Sequence, residues 1–531
     1  MKLTIKNREN KQIECRPNQT ILEALQEAGV YIPALCAGRG TCGKCRIRVL
    51  EGEVTGEYLA CKACALSDVV LELPQENEDE ILIEGVKRSD TKGNDQKQLQ
   101  EVEALEEGKE TGENLFIAVD IGTTTIAMAL VGEISGEVKD TFATLNRQRM
   151  HGADVISRIA AANDGHLEDL HKLIVEDLEQ GILALTHQGE VKVTRVVIAA
   201  NTTMIHLLLG YSCESLGRHP FSSDHLGRME TTLREIGSEI WKSSKDKDAW
   251  MKDLPVITLP GISAFVGSDI TSDILICPGF FEEGISLLLD MGTNGEMVIG
   301  NRDRLVAAST AAGPTFEGGN ITCGTGSIPG AINQVKIMNR RAVTGTIGGK
   351  QPPVGICGTG IIEAIAELKR NRLMAPDGAL MAPYNKTGFP LWAVPTGEKI
   401  AIYQQDIRQL QLAKGAVRAG MEQLMETFGC RPEEVDQVYL AGGFGTKLPI
   451  EASIEIGLFP KEFRGKIESI GNGALLGAIA YGKKEKEEAA STQNPEKEIQ
   501  AEKILLRVEN LNLALTEGFE ELYLKYLELG D

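Results

Sequence analysis

The chain has 531 residues, 42% of them hydrophobic, and a formal net charge of −21; the length predicts roughly three or four domains and the apolar content sizeable cores. An acidic balance with no basic stripe to offset it excludes a nucleic-acid binder, because phosphate backbones would be repelled. The opening MKLTIKNREN lacks an apolar signal region and no run of about 18 apolar residues occurs, so a cytoplasmic chain without membrane spans is expected.

In the first segment, Leu3 to Ile5 and Gln12 to Cys15 read as a hairpin, and TILEALQEA, Thr20 to Ala28, has helical spacing with Thr20 as cap and Gly29 as stop. The chain holds 11 cysteines, crowded at the start as Cys15, Cys36, Cys42, Cys45, Cys61 and Cys64 and scattered thereafter. In a cytosolic chain that usage points to metal or redox chemistry before disulfides. Cys36, Cys42 and Cys45 lie in the glycine-rich loop CAGRGTCGKC, and Cys61 follows a further strand, Arg46 to Leu50. Glycine lets such a loop wrap closely, so that thiolates converge on one centre while amide N–H groups are aimed at the sulfurs.

Four thiolates would also suit tetrahedral zinc, but zinc ribbons favour paired CxxC knuckles. A C-x5-C-x2-C run with a distant fourth cysteine resembles the [2Fe-2S] ferredoxin loop, in a variant with one more residue in the first gap than the plant spacing. The resemblance covers Met1 to about Leu73. It implies a β-grasp fold with Cys36, Cys42, Cys45 and Cys61 as ligands; Cys64, in LACKAC, is the alternative to Cys61, and Cys15 reads as an ordinary buried thiol.

After this ferredoxin-like domain, taken as residues 1–75, residues 76–113 turn polar and acidic with no broad apolar face. They read as a tether that keeps the first domain at high effective concentration near the rest while letting it swing.

A first half-domain is expected over 114–275. In IAVDIGTTTIAMALV, Ile117 to Val131, an apolar strand delivers Asp120 to the turn Gly122-Thr123-Thr124-Thr125 and a second apolar strand leaves it. The tip of such a hairpin offers amides and hydroxyls to phosphate, Gly122 permits close backbone approach, and Asp120 is placed to hold magnesium through its water shell. TLNRQRMHGADVISRIAAA then enters a helix around Ala153, continued at helical spacing from Leu167 to Leu185. His151, His166, His171 and His187 lack metal-ligand spacing. Val193 to Ala200 reads as a buried strand, Asn201 or Thr202 caps the following helix, and His206 packs in its core. LPGISAFVGSDITSD, Leu259 to Asp273, ends in a turn feeding a helix where the first half hands over.

The second half, 276–531 with its C-terminal helices, repeats the design. LLLDMGTNGEMVIG, Leu287 to Gly300, again sets an aspartate, Asp290, before Gly292-Thr293-Asn294 and between two apolar strands. One DxGT is usually only a turn; an echo with matching flanks implies two related halves. AAGPTFEGG, CGTGSIPG and GICGTGIIEAIAEL supply glycine-rich strand-to-helix joints that let a nucleotide approach, with Glu317 a candidate to face metal or water. VDQVYLAGGFG is a strand ending in Gly442-Gly443, and SIGNGALLGAIAY places Gly473 and Gly477 on one helical face. Lys483 to Lys503 is polar enough to be disordered or a solvated helix.

The ordered set DIGTTT, IAANTTM, DMGTNGE, LAGGFG and GNGALLGA resembles the acetate kinase, sugar kinase, Hsp70 and actin superfamily from about Leu115 to Tyr481. The fold class implied is α/β: a β-grasp ferredoxin domain, then two RNase-H-like halves of an actin-like ATPase clamping ATP, with Gly442 and Gly443 against the adenosine. In catalysis Asp120 and Asp290 would organise Mg2+ and the attacking water, while Gly122, Thr123, Thr124, Thr125, Gly292, Thr293 and Asn294 bind the phosphates.

The fusion of the two modules resembles the reductive activators of corrinoid proteins, which restore cobalt(I) at the expense of ATP. NRQRMHGADVISRI, AGPTFEGGNI and a C-terminal RVENLNLALTEGFEELYLKYLEL helix support the match, and no cysteine after Cys430 supplies the extra cluster of some members. The implied cofactors are a [2Fe-2S] cluster, ATP and Mg2+. The implied partners are a corrinoid protein of a methyltransferase system, a low-potential donor such as a ferredoxin, flavodoxin or reductase, and a second copy in a homodimer. The rival readings are an activator of 2-hydroxyacyl-CoA dehydratases, a small-molecule kinase with a redox sensor, and a simple electron carrier with a degenerate nucleotide fold.

Overall fold

A computed structural model describes residues 1–7, 10–17, 19–28, 30, 32, 45–52, 55–73, 113–238, 249–292, 294–349, 351–393, 399–483 and 495–530. The expected tether, up to residue 112, and the segment 484–494 lie outside these residues.

The first module is one five-stranded sheet. β1 (Lys2–Ile5) pairs antiparallel with β2 (Lys11–Glu14) and parallel with β5 (Val69–Glu72), while β3 (Arg46–Glu51) pairs with β5 and with β4 (Gly56–Leu59), giving the order β2-β1-β5-β3-β4. Helix α1 (Ile21–Glu27) starts at a reciprocal cap: Thr20 Oγ1 accepts from Glu23 N and Glu23 Oε2 accepts from Thr20 N. Its buried Leu22 and Leu25 meet Leu3, Ile5, Ile47 and Leu71 in a single core, the β-grasp arrangement.

The rest of the chain builds two six-stranded sheets that share a five-strand topology and differ in the edge on which the sixth strand lies. In the first, β6 (Leu115–Ile121), β7 (Thr125–Gly132) and β8 (Val138–Leu145) form an antiparallel meander, and β9 (Val196–Ala200) and β11 (Pro255–Thr258) extend it parallel to β6, with β10 (Met229–Thr232) on the edge. In the second, β12 (Ile285–Met291), β13 (Gly295–Gly300) and β14 (Leu305–Thr310) form the meander; β20 (Val435–Ala441) and β21 (Ile467–Gly471) run parallel to β12. The chain between the meander and β20 adds β15 (Ala331–Met338), β16 (Arg341–Thr346) and β17 (Gly355–Ile356) as one small sheet and β18 (Phe389–Ala393) and β19 (Lys399–Ile402) as another. These two six-stranded sheets are the RNase-H-like pair of an actin-like body.

Strand alternation sorts the core into three layers. Ile117, Val119 and Ile121 of β6 face outward onto α2 (Val155–Ala161) and α3 (Leu167–Leu185), whereas Phe116 and Ala118 face inward. Leu287 and Leu289 of β12 do the outward packing in the second half, against α6 (Gly358–Arg370) and the long α7 (Gln404–Phe428). Between the sheets lies a shared core in which α5 (Ser268–Ile276) packs against α8 (Gly473–Gly482). The approach is close: a Cβ on Gly477 would sit 2.1 Å from Ser272 O, and Ser272 Oγ donates to Ala474 O at 2.7 Å.

Several local expectations are refined. The helix from Ala153 onward is interrupted between α2 and α3, because Gly165 adopts φ 99° and breaks the α-helical ladder there. The helix after β9, α4 (Thr202–Leu209), is capped by Asn201, whose side chain accepts from Met204 N, not by Thr202. The C-terminal segment is not one helix. After a helix over Pro495–Arg507, Val508–Asn510 forms β22, parallel to β14, and only Phe519–Lys525 is helical beyond it; an open edge of β14 offered backbone partners that outweighed helical propensity. No helix among the described residues is long and apolar enough to cross a membrane.

Candidate nucleotide cleft and cluster site

Asp120 is the sixth residue of β6 and Asp290 the sixth of β12. Each has a parallel-strand neighbour of one size, Ala199 on β9 and Ala441 on β20, so the two carboxylates occupy equivalent places in the repeated sheet. Both open into a single cleft of about 460 Å³ between the halves, within the size range of small-molecule sites. Gly122, Thr123, Thr124 and Thr125 line it from the first hairpin, and Gly292, Asn294, Gly442 and Gly443 from the second half. Thr293 lies outside the described residues.

Glycine is required at two of these positions. A Cβ on Gly122 would fall 2.8 Å from Thr125 O, blocking the tight turn, and Gly442, at φ 81°, would place one 2.6 Å from Asp290 Oδ1. Phe316 and Phe444 stack with centroids 5.3 Å apart and line the same cleft, an apolar slot beside the Gly442-Gly443 turn that suits a flat ring. Glu317, flagged as a loop carboxylate, also lines the cleft.

The electrostatics of this floor are strongly one-sided. Asp120 and Asp269 are pushed up to about 7, by burial first, with the neighbouring Asp290 charge raising both. Burial raises Asp290 to about 6, and burial with repulsion from other carboxylates lifts Asp273 and Glu296 well above their ordinary range. Both oxygens of buried Asp273 lack a hydrogen-bond partner. No Lys or Arg lines the cleft among the described residues.

Five carboxyl groups crowded without a lining cation is the chemistry of a divalent-cation site. No three of the described His, Cys, Asp and Glu side chains converge to ligate one ion directly. The donor set therefore fits Mg2+, which keeps several waters and takes one or two carboxylates together with substrate phosphates.

Asp269, Asp273, Glu296 and Asn472 were not singled out from the sequence. The first two stand four apart in GSDITSD and share a face of α5, a spacing visible in the sequence. Glu296 lies directly across the hairpin from Asp290, while the matching position opposite Asp120 is Ala127; the short turn after Asp290 implies that pairing once the hairpin is accepted. Asn472 donates from Nδ2 to Asp120 Oδ2 at 2.9 Å across a separation of 352 residues, a contact without local signal.

In the first module, the sulfurs of Cys45 and Cys61 approach to 3.3 Å, and both thiols are buried and free of disulfides. Two buried thiols aimed at one point fit a shared metal centre. Cys64, the alternative ligand, is exposed instead, and its backbone pairs with that of Thr20 in an isolated antiparallel β-bridge. Cys36 and Cys42 lie outside the described residues. Cys15 is a buried thiol pushed up by burial.

Fold and site define a class: an actin-like nucleotide-binding body preceded by an iron-sulfur domain. Residues 4–76 match the 2Fe-2S iron-sulfur cluster binding domain, residues 115–278 the RACo middle region, and residues 284–531 the C-terminal domain of RACo, the ASKHA domain. The chain belongs to the family of reductive activators of corrinoid proteins, and its cofactors are a [2Fe-2S] cluster, ATP and Mg2+. It is 35% identical over 390 residues to the corrinoid activation enzyme RamQ of Eubacterium limosum, an alignment covering 69% of this chain and 63% of RamQ. It is 26% identical over 384 residues to the [Co(II) methylated amine-specific corrinoid protein] reductase of Methanosarcina barkeri, covering 68% of each. The solved structure of a reductive activator for corrinoid, iron-sulfur protein superposes with a TM-score of 0.66 at 27% identity, covering 99% of this chain and 98% of that one. The chain thus spans just under two thirds of RamQ's length and nearly all of the solved activator.

Proposed function

We propose that the chain is an ATP-dependent reductive activator that returns an inactive cob(II)alamin protein of a methyltransferase system to cob(I)alamin. The observation that carries the reading is the presence, on one chain, of a buried Cys45–Cys61 sulfur pair and a cleft bounded by two equivalent aspartates. The printed functions of RamQ and the Methanosarcina barkeri reductase support it. The corrinoid partner, a low-potential donor such as a ferredoxin, flavodoxin or reductase, and pairing into a homodimer all belong to this proposal.

When bound, the [2Fe-2S] cluster supplies one electron at roughly −400 mV, which converts substrate cobalt from Co(II) to Co(I). For a one-electron transfer each ~59 mV of uphill gap costs about 1.4 kcal/mol, so a poorer acceptor demands a coupled source of free energy. ATP can serve only by binding two arrangements of the body differently. Here the halves meet along α5 and α8, whose N-termini reach the cleft through Asp269 and Asn472. Asp120 and Asp290 orient the hydrated ion and the attacking water; Gly122, Thr123, Thr124, Thr125, Gly292, Thr293 and Asn294 hold the phosphates; Gly442 and Gly443 take the adenosine.

The test is anaerobic reduction of candidate cob(II)alamin proteins by the cluster-loaded chain, followed at the cobalt(I) absorption band with and without ATP. Nucleotide-dependent cobalt(I) is expected. Equal yields without nucleotide would remove the ATPase from the mechanism.

A further inference from the structure

The segment NRQRMHGADVISRI, between the first meander and α3, contributes Val155 to the cleft lining and contains a fully buried arginine, Arg158. Its guanidinium donates to Thr123 O, to Gly152 O at 2.9 Å and to Gln148 Oε1 at 3.3 Å. Asn146, also fully buried, donates from Nδ2 to Gly122 O at 3.0 Å, and its backbone N–H donates to Thr124 O at 2.9 Å. Three successive carbonyls of the Gly122-Thr123-Thr124 tip are therefore held by one segment.

From that geometry we propose that Asn146 and Arg158 are positioning residues for nucleotide phosphates; this deepens the nucleotide reading above and rests on it. In a trans peptide the carbonyl of one residue and the N–H of the next point in opposite directions. Fixing the carbonyls of Gly122 and Thr123 on the segment side turns the N–H groups of Thr123 and Thr124 away from it, toward the cleft that both residues line, as successive amides do in an anion-binding nest. The arrangement places a positive side chain, the Arg158 guanidinium, against the tip one peptide removed from the cleft, in a site whose described lining has no Lys or Arg. Its field favours negative charge on the far side of the loop.

A comparison within the molecule argues that the latch is not simply what such a hairpin needs to fold. By strand register Ala127, opposite Asp120, pairs with Ala143 in the first half and Glu296, opposite Asp290, with Ser309 in the second, so the counterpart of Asn146, three residues on, is Ala312. The second hairpin forms its full set of strand pairs with alanine there.

The test uses the cluster-loaded full chain and compares Mg·ATP with adenosine, which has no phosphates. Arg158→Lys keeps the charge but not the fork that bridges Thr123 and Gly152, and Asn146→Ser keeps an acceptor for the cap on Gln148 N while losing the reach to Gly122 O. Each is expected to weaken Mg·ATP binding at least tenfold, with adenosine affinity and the iron-sulfur absorption spectrum unchanged. Equal weakening of both ligands, or none, overturns the assignment, because a merely structural role would not single out the phosphates. Should Arg158→Lys fail to fold, Asn146→Ser decides by the same ratio. A parent chain that binds neither ligand sinks the nucleotide reading itself, and the latch with it.

Discussion

Asn472 ties the two halves together at the floor of the cleft: its Nδ2 donates to Asp120 Oδ2 at 2.9 Å while its Oδ1 accepts from Leu475 N, also at 2.9 Å. One side chain thus caps α8 in the second half and orients the aspartate of the first. The pair makes the start of an inter-half helix sensitive to what happens at the hairpin, which is a physical route for nucleotide to bias how the halves meet.

Separating the two tasks of Asn472 gives a first prediction. Asn472→Ala loses both and is expected to lower the free energy of unfolding by about 1 kcal/mol from the missing cap. Asn472→Ser retains a cap but cannot reach Asp120, so its stability should stay near the parent's while Mg·ATP binding weakens as it does in the alanine variant. Urea unfolding alongside nucleotide titration checks both; a serine variant that binds like the parent would detach Asp120 from Asn472.

The carboxylate floor sets a pH dependence. Asp120 and Asp269 titrate near 7 and Asp290 near 6, all raised by burial. A carboxyl raised in the folded state contributes stability that is complete below its unfolded value and is lost as pH rises through the folded one. The metal-free chain should therefore lose stability between about pH 4 and pH 7, as the crowded acids ionise. Mg2+ binds the ionised forms, so Mg·ATP affinity should rise with pH through 6 to 7, and its stabilising shift in melting temperature should be larger at pH 8 than at pH 6. A shift independent of pH would mean these carboxyls do not face the ion.

Backbone clearance at the adenosine turn leads to a third expectation. Gly442→Ala demands a left-handed conformation of a residue with a Cβ and pushes that atom against Asp290 Oδ1, at a cost of about 1–3 kcal/mol in backbone strain. The variant should fold, with its iron spectrum intact, and show little or no ATP turnover. Asp290→Ala should give the same pattern, and loss of the cluster in either would break the separation of the two modules.

The cysteines divide by position. Cys61→Ser removes one of two buried sulfurs 3.3 Å apart and should abolish the [2Fe-2S] absorption, whereas Cys64→Ser changes an exposed thiol and should leave two irons bound per chain. Iron content and visible spectra after anaerobic reconstitution measure both. A Cys64 variant without cluster would exchange the roles.

Much of this molecule was legible because its signals are local. Ile117 to Val131 and Leu287 to Gly300 each contain a strand, a tight turn and a second strand within about fifteen residues, so the hairpins and the aspartates at their tips follow from alternation and turn chemistry alone. The cysteine spacing likewise gives the cluster loop, since ligands close in sequence on a glycine-rich backbone are close in space.

What the chain order could not reveal is which distant groups would share a volume. The strand β22 exists because β14 has a free edge, so propensity in RVENLNLAL was overridden by a strand about two hundred residues earlier. Asn472 meets Asp120, and Arg158 reaches Thr123, only after the sheets have formed and brought their ends together. Local periodicity determined the parts and the acids they carry; the shifted acidities and the latch behind the phosphate loop arise from burial and proximity between segments, which only the folded chain creates.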